Sequence, residues 1–325
     1  MTAQTIVTAA RKIQDNIELV VVGKAEVVEL VLVTVLCEGH VLIEDVPGIG
    51  KTLLARSVAR SLGCTFRRIQ CTPDLLPSDV TGTYIYNQKT SDFEFRPGPI
   101  FAQVLLADEI NRATPRTQSA FLEAMEERQV TAEGNTRPLL RPFLVLATQN
   151  PVELEGTFPL PEAQLDRFLM RVRMGYPNEE QDALIMERFA QVNPIEDLDS
   201  VLTAEQLLEI QQACRDVLVE PDVRQYIIKL VHATRGHPQV ELGASPRAML
   251  GLLRTAQALA AVRGRNYVIP DDVKYLVPFV LEHRIIPHAQ SHLRGHTAAD
   301  ILQEVLDTVP VPVEQEAMVE PGAGD

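Results

Sequence analysis

Residues 39–52 read G-H-V-L-I-E-D-V-P-G-I-G-K-T. A short apolar run, Val41–Glu44, enters a Gly-rich turn and leaves through Lys51-Thr52 into a helical pattern, Leu53–Leu62. Such a turn wraps phosphate oxygens in backbone N–H groups, and the helix N-terminus behind it adds positive potential. Gly48 and Gly50 permit the wrapping, Lys51 would reach the β- and γ-phosphates, and Thr52 would hold Mg²⁺. Pro47, Gly48, Ile49, Gly50, Lys51, Thr52 and Leu53 are therefore the candidate nucleotide-binding set. The usual first Gly of G-x-x-x-x-G-K-[ST] is Asp45 here, so the loop should start in a conformation open to a side chain. The competing reading is a Gly turn before a helix with an incidental Lys-Thr.

Downstream, residues 104–112 read V-L-L-A-D-E-I-N-R. A buried strand that delivers two carboxylates at its C-terminal end is an active-site geometry in open α/β sheets. Asp108 suits the outer Mg²⁺ shell, and Glu109 suits the general base that activates the attacking water. A third run, F-L-V-L-A, ends in Thr148-Gln149-Asn150-Pro151. Asn150 could orient water beside the γ-phosphate; an Asn-Pro turn is the bland alternative.

The rest of the chain supports this frame. At 325 residues, about two domains are expected. Further short strand-like runs at Phe66–Gln70 and Leu169–Val172 alternate with helical patterns such as Pro115–Glu127, where Thr114 can cap and Pro115 fits the first position. Continuously apolar strands between helices predict a parallel sheet with right-handed crossovers. After Tyr176-Pro177 no strand pattern is clear, and helical patterns fill Ala204–Val217, Asp222–Thr234, Pro246–Val262 and Asp271–His283. The predicted organisation is an α/β core over 1–192, an all-helical lid over 193–308, and a flexible acidic tail over 309–325.

Composition narrows the function. Lys plus Arg is 30 and Asp plus Glu is 44, a formal net charge of −14, which disfavours a dedicated duplex-DNA binder. The four cysteines form no C-x-x-C pair, as expected of reduced thiols. The longest apolar run, Leu30 to Leu36, is far short of the ~18 residues of a membrane span. Without an apolar leader near Met1, a cytoplasmic protein is expected.

The three segments together resemble an AAA+ ATPase. Two long stretches, L-L-A-D-E-I-N-R-A-T-P-R-T-Q-S-A-F-L-E-A-M-E-E-R-Q-V-T and A-T-Q-N-P-V-E-L-E-G-T-F-P-L-P-E-A-Q-L-D-R-F, resemble the MoxR family over about residues 15–308. The resemblance implies a P-loop AAA+ core with a five-stranded parallel sheet and a smaller helical lid, binding ATP and Mg²⁺. It also implies further roles. Arg167, in Gln164-Leu165-Asp166-Arg167-Phe168, is similar to an arginine finger, which can be worth about 10³–10⁵ in rate from a neighbouring subunit. The alternative is a helix-terminal Arg that pairs with Asp166 or a carbonyl. Arg247, in G-A-S-P-R-A from Gly243, is similar to the second sensor on the lid, acting in cis or in trans, or else a surface Arg. Gly23 is similar to the residue beside the adenine.

Two hairpin inserts are expected. One lies near 82–96, with aromatics alternating around a polar tip, and the other near 129–141, with a turn at Glu133-Gly134. Related rings point such hairpins at a pore, and the alternative is an ordinary surface hairpin. The second tip carries Glu133 and no Lys, which counts against nucleic acid as the cargo. His283, His288, His292 and His296 lack a convincing ligand partner and are expected on a lid surface or at a subunit contact rather than on a metal. Arg112 follows Glu109 so closely that it is worth watching.

A finger works only when a neighbour presents it, so a head-to-tail ring is implied, six subunits by resemblance. The family resemblance further implies chaperone-like maturation or metal-centre insertion on a client protein, with a von Willebrand factor A domain partner. A chelatase-type motor subunit, a nucleic-acid-remodelling ring and a nucleotide-gated scaffold with negligible turnover are the rival readings.

Overall fold

The computed structural model describes residues 3–151, 156–190, 193–293 and 295–312. Most of the expected acidic tail and Val152 to Glu155 of the second signature lie outside the described residues. Two helices, α1 (Ala3–Glu18) and α2 (Ala25–Leu36), precede β1 (Val41–Glu44). Then come α3 (Lys51–Ser61), β2 (Phe66–Gln70), α4 (Pro77–Thr81), β3 (Gly82–Asn87), β4 (Asp92–Pro97), β5 (Val104–Asp108), α5 (Pro115–Glu127), β6 (Gln129–Ala132), β7 (Asn135–Pro138), β8 (Leu144–Gln149), α6 (Glu162–Leu165) and β9 (Met170–Val172).

Five of these strands form one sheet in the order β2-β5-β8-β1-β9, every neighbour parallel. The interior strand β5 is buried along its whole length, which is why its sequence is apolar until Asp108. The edge strand β2 differs, since Arg67, Arg68 and Gln70 are exposed and only Ile69 is buried. Register sets the site: Gln70 pairs with Asp108, Ile43 with Thr148 and Glu44 with Gln149. Polar residues at the C-terminal strand ends therefore arrive on one edge.

Both inserts are two-stranded antiparallel hairpins, β3 with β4 and β6 with β7. Glu133 and Gly134 both have positive φ, 48° and 80°, the two-residue turn that matches strand twist. The hairpins are tied together. The Tyr84 hydroxyl accepts from Asn135 Nδ2 at 3.0 Å and Arg137 Nη2 at 2.9 Å, and the Arg137 guanidinium lies 4.2 Å from the Phe95 ring centre.

The remainder contains α7 (Glu179–Phe189), α8 (Ala204–Cys214), α9 (Pro221–Gly236), α10 (Pro246–Val262), α11 (Pro270–Leu281), α12 (Ala289–Leu293) and α13 (Ala298–Thr308). It is helical as expected, with one addition that periodicity does not reveal. A short antiparallel ribbon joins β10 (Val240–Leu242) to β11 (Ile286–Pro287), too short to carry an alternation signal. Thr114 occupies the cap position of α5, but its hydroxyl meets Thr117 Oγ1 at 3.2 Å and makes no capping bond to the backbone.

A single apolar cluster runs through both halves. It includes Ile13 and Val31 of the N-terminal helices, Leu54 of α3, Leu106 of β5, and Leu230, Leu259 and Leu276 of the helical region. Core and lid thus share buried surface. No described helix is long and apolar enough to cross a membrane.

Candidate nucleotide site

The loop between β1 and α3 lies at the junction of two adjoining chambers. One, about 490 Å³, is walled by Val20–Val22, Ile49, Leu53, Met174, Tyr176, Ile185 and Phe189. The other, about 390 Å³, is lined by Lys51, Thr52, Arg56, Arg68, Asp108 and Glu109. Pro47, Gly48, Gly50 and Leu53 line both, so the two form one cleft with an apolar end and a charged end. That division matches a flat heteroaromatic base at one end and a polyphosphate at the other.

Loop conformation follows from its residues. Gly48 and Gly50 take φ of 85° and 92°, where side chains are strained. Asp45 is absent from the positive-φ residues, in line with the expectation for a non-Gly loop start. Its carboxylate accepts from its neighbour Val46 N–H at 2.9 Å and from Gly175 N–H at 2.6 Å, linking the loop to the segment that leads into Tyr176. Lys51 Nζ donates to the Asp45 and Val46 carbonyls at 2.7 and 3.1 Å. Burial draws the Lys51 pKa below the ordinary lysine value, against the pull of Asp108, Asp45 and Glu109.

The carboxylate pair is held from three strands. Asp108 accepts from Thr148 Oγ1 at 2.6 Å on one oxygen and from Arg68 on the other. Glu109 sits at φ 56°, ψ 52°, a left-handed conformation unusual for Glu, and its N–H donates to the same Thr148 hydroxyl at 2.8 Å. Its carboxylate accepts from Gln70 Nε2 at 3.0 Å and Arg112 Nη1 at 3.2 Å. Thr148, Arg68, Gln70 and Arg56 are not among the residues that the motifs single out. The sequence carries part of their signal, because Arg68, Gln70 and Thr148 sit at or near the C-terminal end of a sheet strand, whereas Arg56 lies in the middle of α3.

Thr52 and Asp108 line the same chamber. One hydroxyl and one carboxylate are hard oxygen donors of the kind Mg²⁺ takes together with phosphate oxygens and water, so the residues present fit that ion.

Other expected members are placed differently. Asn150 follows β8 directly and is buried, but it lines neither chamber. The close approach at Gly23 is to Gln181: a Cβ there would fall 2.2 Å from Gln181 Cδ, and its neighbours Val22 and Lys24 face the cleft instead. His283 is not on a surface; it is buried, with Nε2 3.0 Å from the Phe168 carbonyl. Among the described residues, no group of three or more His, Cys, Asp and Glu could hold a metal ion, and all four cysteines are free.

Arg167 and Arg247 stand apart from the cleft and beside each other. Both pair with Glu126 at the end of α5 and line a cavity of about 470 Å³ with Glu38, Arg128 and Arg254. Glu38 and His40 precede β1, whereas Asp45 follows it, so β1 separates this cavity from the phosphate loop.

Sheet order, phosphate loop, strand-end carboxylates and a helical lid define a P-loop nucleoside-triphosphatase of the AAA+ type. The model of the ATPase family associated with various cellular activities (AAA) matches residues 40–170, and that of the AAA lid domain matches 232–305. The uncharacterized protein YeaC of Bacillus subtilis (strain 168) is 52% identical over 94% of this chain and 96% of its own. Chaperone MoxR1 of Mycobacterium tuberculosis is 44% identical over 91% of this chain and 81% of its own. The crystal structure of a candidate ATPase from Cytophaga hutchinsonii superposes with a TM-score of 0.90 at 39% identity, covering 96% of this chain and 97% of its own. The chain belongs to the MoxR family of AAA+ ATPases.

Proposed function

We propose that this protein hydrolyses ATP at the boundary between subunits of a head-to-tail ring of six, and that the cycle remodels a client protein. In this reading the apolar chamber takes adenine, and Pro47, Gly48, Ile49, Gly50, Lys51, Thr52 and Leu53 cradle the phosphates. Thr52 and Asp108 would hold Mg²⁺, which when bound neutralises phosphate charge. Glu109 is the general base for the attacking water, and Gln70 and Arg112 set its position. Asn150, buried just after β8, is the candidate to orient that water, although it lines neither chamber of the cleft.

The observation that carries the reading is the location of Arg167 and Arg247. Two guanidiniums meet on the side of the sheet away from their own phosphate loop, where a second copy of the chain could be addressed. This favours trans action for both, which the sequence leaves open for Arg247. AAA+ proteins typically form rings, in agreement with that geometry. A chaperone role follows from likeness to chaperone-named relatives. Maturation or metal-centre assembly of a client, with a von Willebrand factor A domain partner, is the specific form we favour. The linked hairpins are candidate client contacts.

Mixing tests the central claim. An Arg167→Ala protomer lacks a finger but keeps its cleft; a Lys51→Ala protomer lacks the cleft but keeps its finger. Each should be inactive alone, and ATPase activity should return in mixed rings. Mixed rings that native mass spectrometry detects but that stay inactive would refute trans action.

A further inference from the structure

Arg167 and Arg247 are 80 positions apart in sequence, yet they share one acceptor. Arg167 Nη1 donates to Glu126 Oε2, and Arg247 Nη2 donates to Glu126 Oε1. The next carboxylate, Asp166, is already engaged. It accepts from the buried Arg284 Nε at 2.7 Å and from the Ser245 hydroxyl at 3.2 Å, and it lies 3.9 Å from Arg247 Nη1. Glu126 is therefore the principal counter-ion for both.

Side by side, two guanidiniums repel each other, and a single carboxylate between them offsets that repulsion. Each guanidinium has five N–H donors and spends few of them here, so the rest remain available to an incoming anion. The side chains of Arg167 and Glu126 are each 31% exposed, and that of Arg247 is 45% exposed, so the assembly is reachable from outside.

We propose that Glu126 is a positioning residue for ATP hydrolysis: it pins Arg167 and Arg247 as a pair, so that both address one phosphate group of a neighbouring subunit together. The inference rests on the trans reading above.

Glu126→Gln keeps the size of the side chain and removes its charge. The expected result is a loss in kcat of about 10-fold, with KM for ATP unchanged, because Glu126 touches no part of the cleft that binds nucleotide. Three further readouts separate positioning from mere structure. In a cycle with Arg247→Ala, the double variant should be no slower than Arg247→Ala alone, since one guanidinium has no partner to be paired with. The Glu126→Gln deficit should shrink as salt rises from about 0.05 to about 0.5 M, because screening replaces the missing charge. The thermal midpoint should stay within a few degrees of the parent.

Wild-type kcat in Glu126→Gln, losses that multiply in the double variant, or a collapsed midpoint would each overturn the proposal. Full turnover in Arg167→Ala would instead overturn the trans reading itself, whatever Glu126→Gln does.

Discussion

Arg68 on β2 reaches Oδ2 of Asp108 at the end of β5 twice, through Nε at 3.1 Å and Nη2 at 2.6 Å. Thr148 holds the other oxygen, Oδ1, so both acceptors of Asp108 are engaged. Of the two partners Arg68 is the exposed one, with 46% of its side chain accessible. A divalent cation drawn to Asp108, directly or through a bound water, competes with this guanidinium by charge and for Oδ2. Arg68→Ala should therefore raise Mg²⁺ affinity several-fold in the presence of ADP, as read by calorimetric titration of the metal. Unchanged affinity would mean that Arg68 leaves Asp108 at no cost.

Lys51→Ala should weaken nucleotide binding by about 10- to 150-fold, the range for hydrogen bonds to a charged group. Fluorescent-nucleotide titration measures it. Retained affinity would place the phosphates away from the loop.

Glu109→Gln should lower turnover by about 10²-fold or more while nucleotide still binds, because the amide cannot take the proton of the attacking water. Single-turnover chemistry with radiolabelled ATP is the direct measurement. A rate equal to wild type would transfer the role of base to another group.

Much of this site is legible in the amino-acid sequence. Lys51, Thr52, Asp108 and Glu109 announce themselves because each follows an apolar strand and carries a functional group that phosphate or metal chemistry requires. The three central apolar runs appear as β1, β5 and β8, with ends shifted by two residues at most. Arg68 is hidden because β2, at the sheet edge, reads F-R-R-I-Q, and two adjacent arginines on an exposed edge strand look like ordinary surface charge. Thr148 is hidden because a buried hydroxyl reads as strand filler until the neighbouring strand is known. The N-terminal helices α1 and α2 escape the pattern as well, and α2 is apolar almost throughout, which blurs its period. The meeting of Arg167 with Arg247 needs tertiary structure, since no local pattern joins residues 80 apart.

Acid should destabilise the fold through His40. Its Nδ1 accepts the Val145 N–H at 3.0 Å, so Nε2 carries the proton, 3.2 Å from the Met125 carbonyl. Burial, outweighing the bond to Met125, lowers its pKa to about 4. The unfolded chain binds that proton at about 6.5. The neutral imidazole therefore contributes fully above pH 6.5, and the contribution drains away as pH falls towards 4, up to about 3 kcal/mol. His283, also buried, shifts in the same direction. Urea unfolding at pH 7 and pH 5 should show a smaller drop for His40→Gln than for the parent. Equal drops would assign acid sensitivity to other groups.

Arg284 bears on how the molecule can be taken apart. From the lid it donates to the Asp166 carboxylate and carbonyl and to the carbonyls of Phe168 and Leu169, and it is itself almost wholly buried. These acceptors belong to the segment that carries Arg167. A fragment that ends before the lid would keep every residue of the phosphate loop, yet strip those carbonyls of their donor and open the shared apolar cluster to water. The border between ATPase and lid can be drawn on a sequence diagram, but a scalpel at that border should yield an aggregating piece rather than a minimal enzyme.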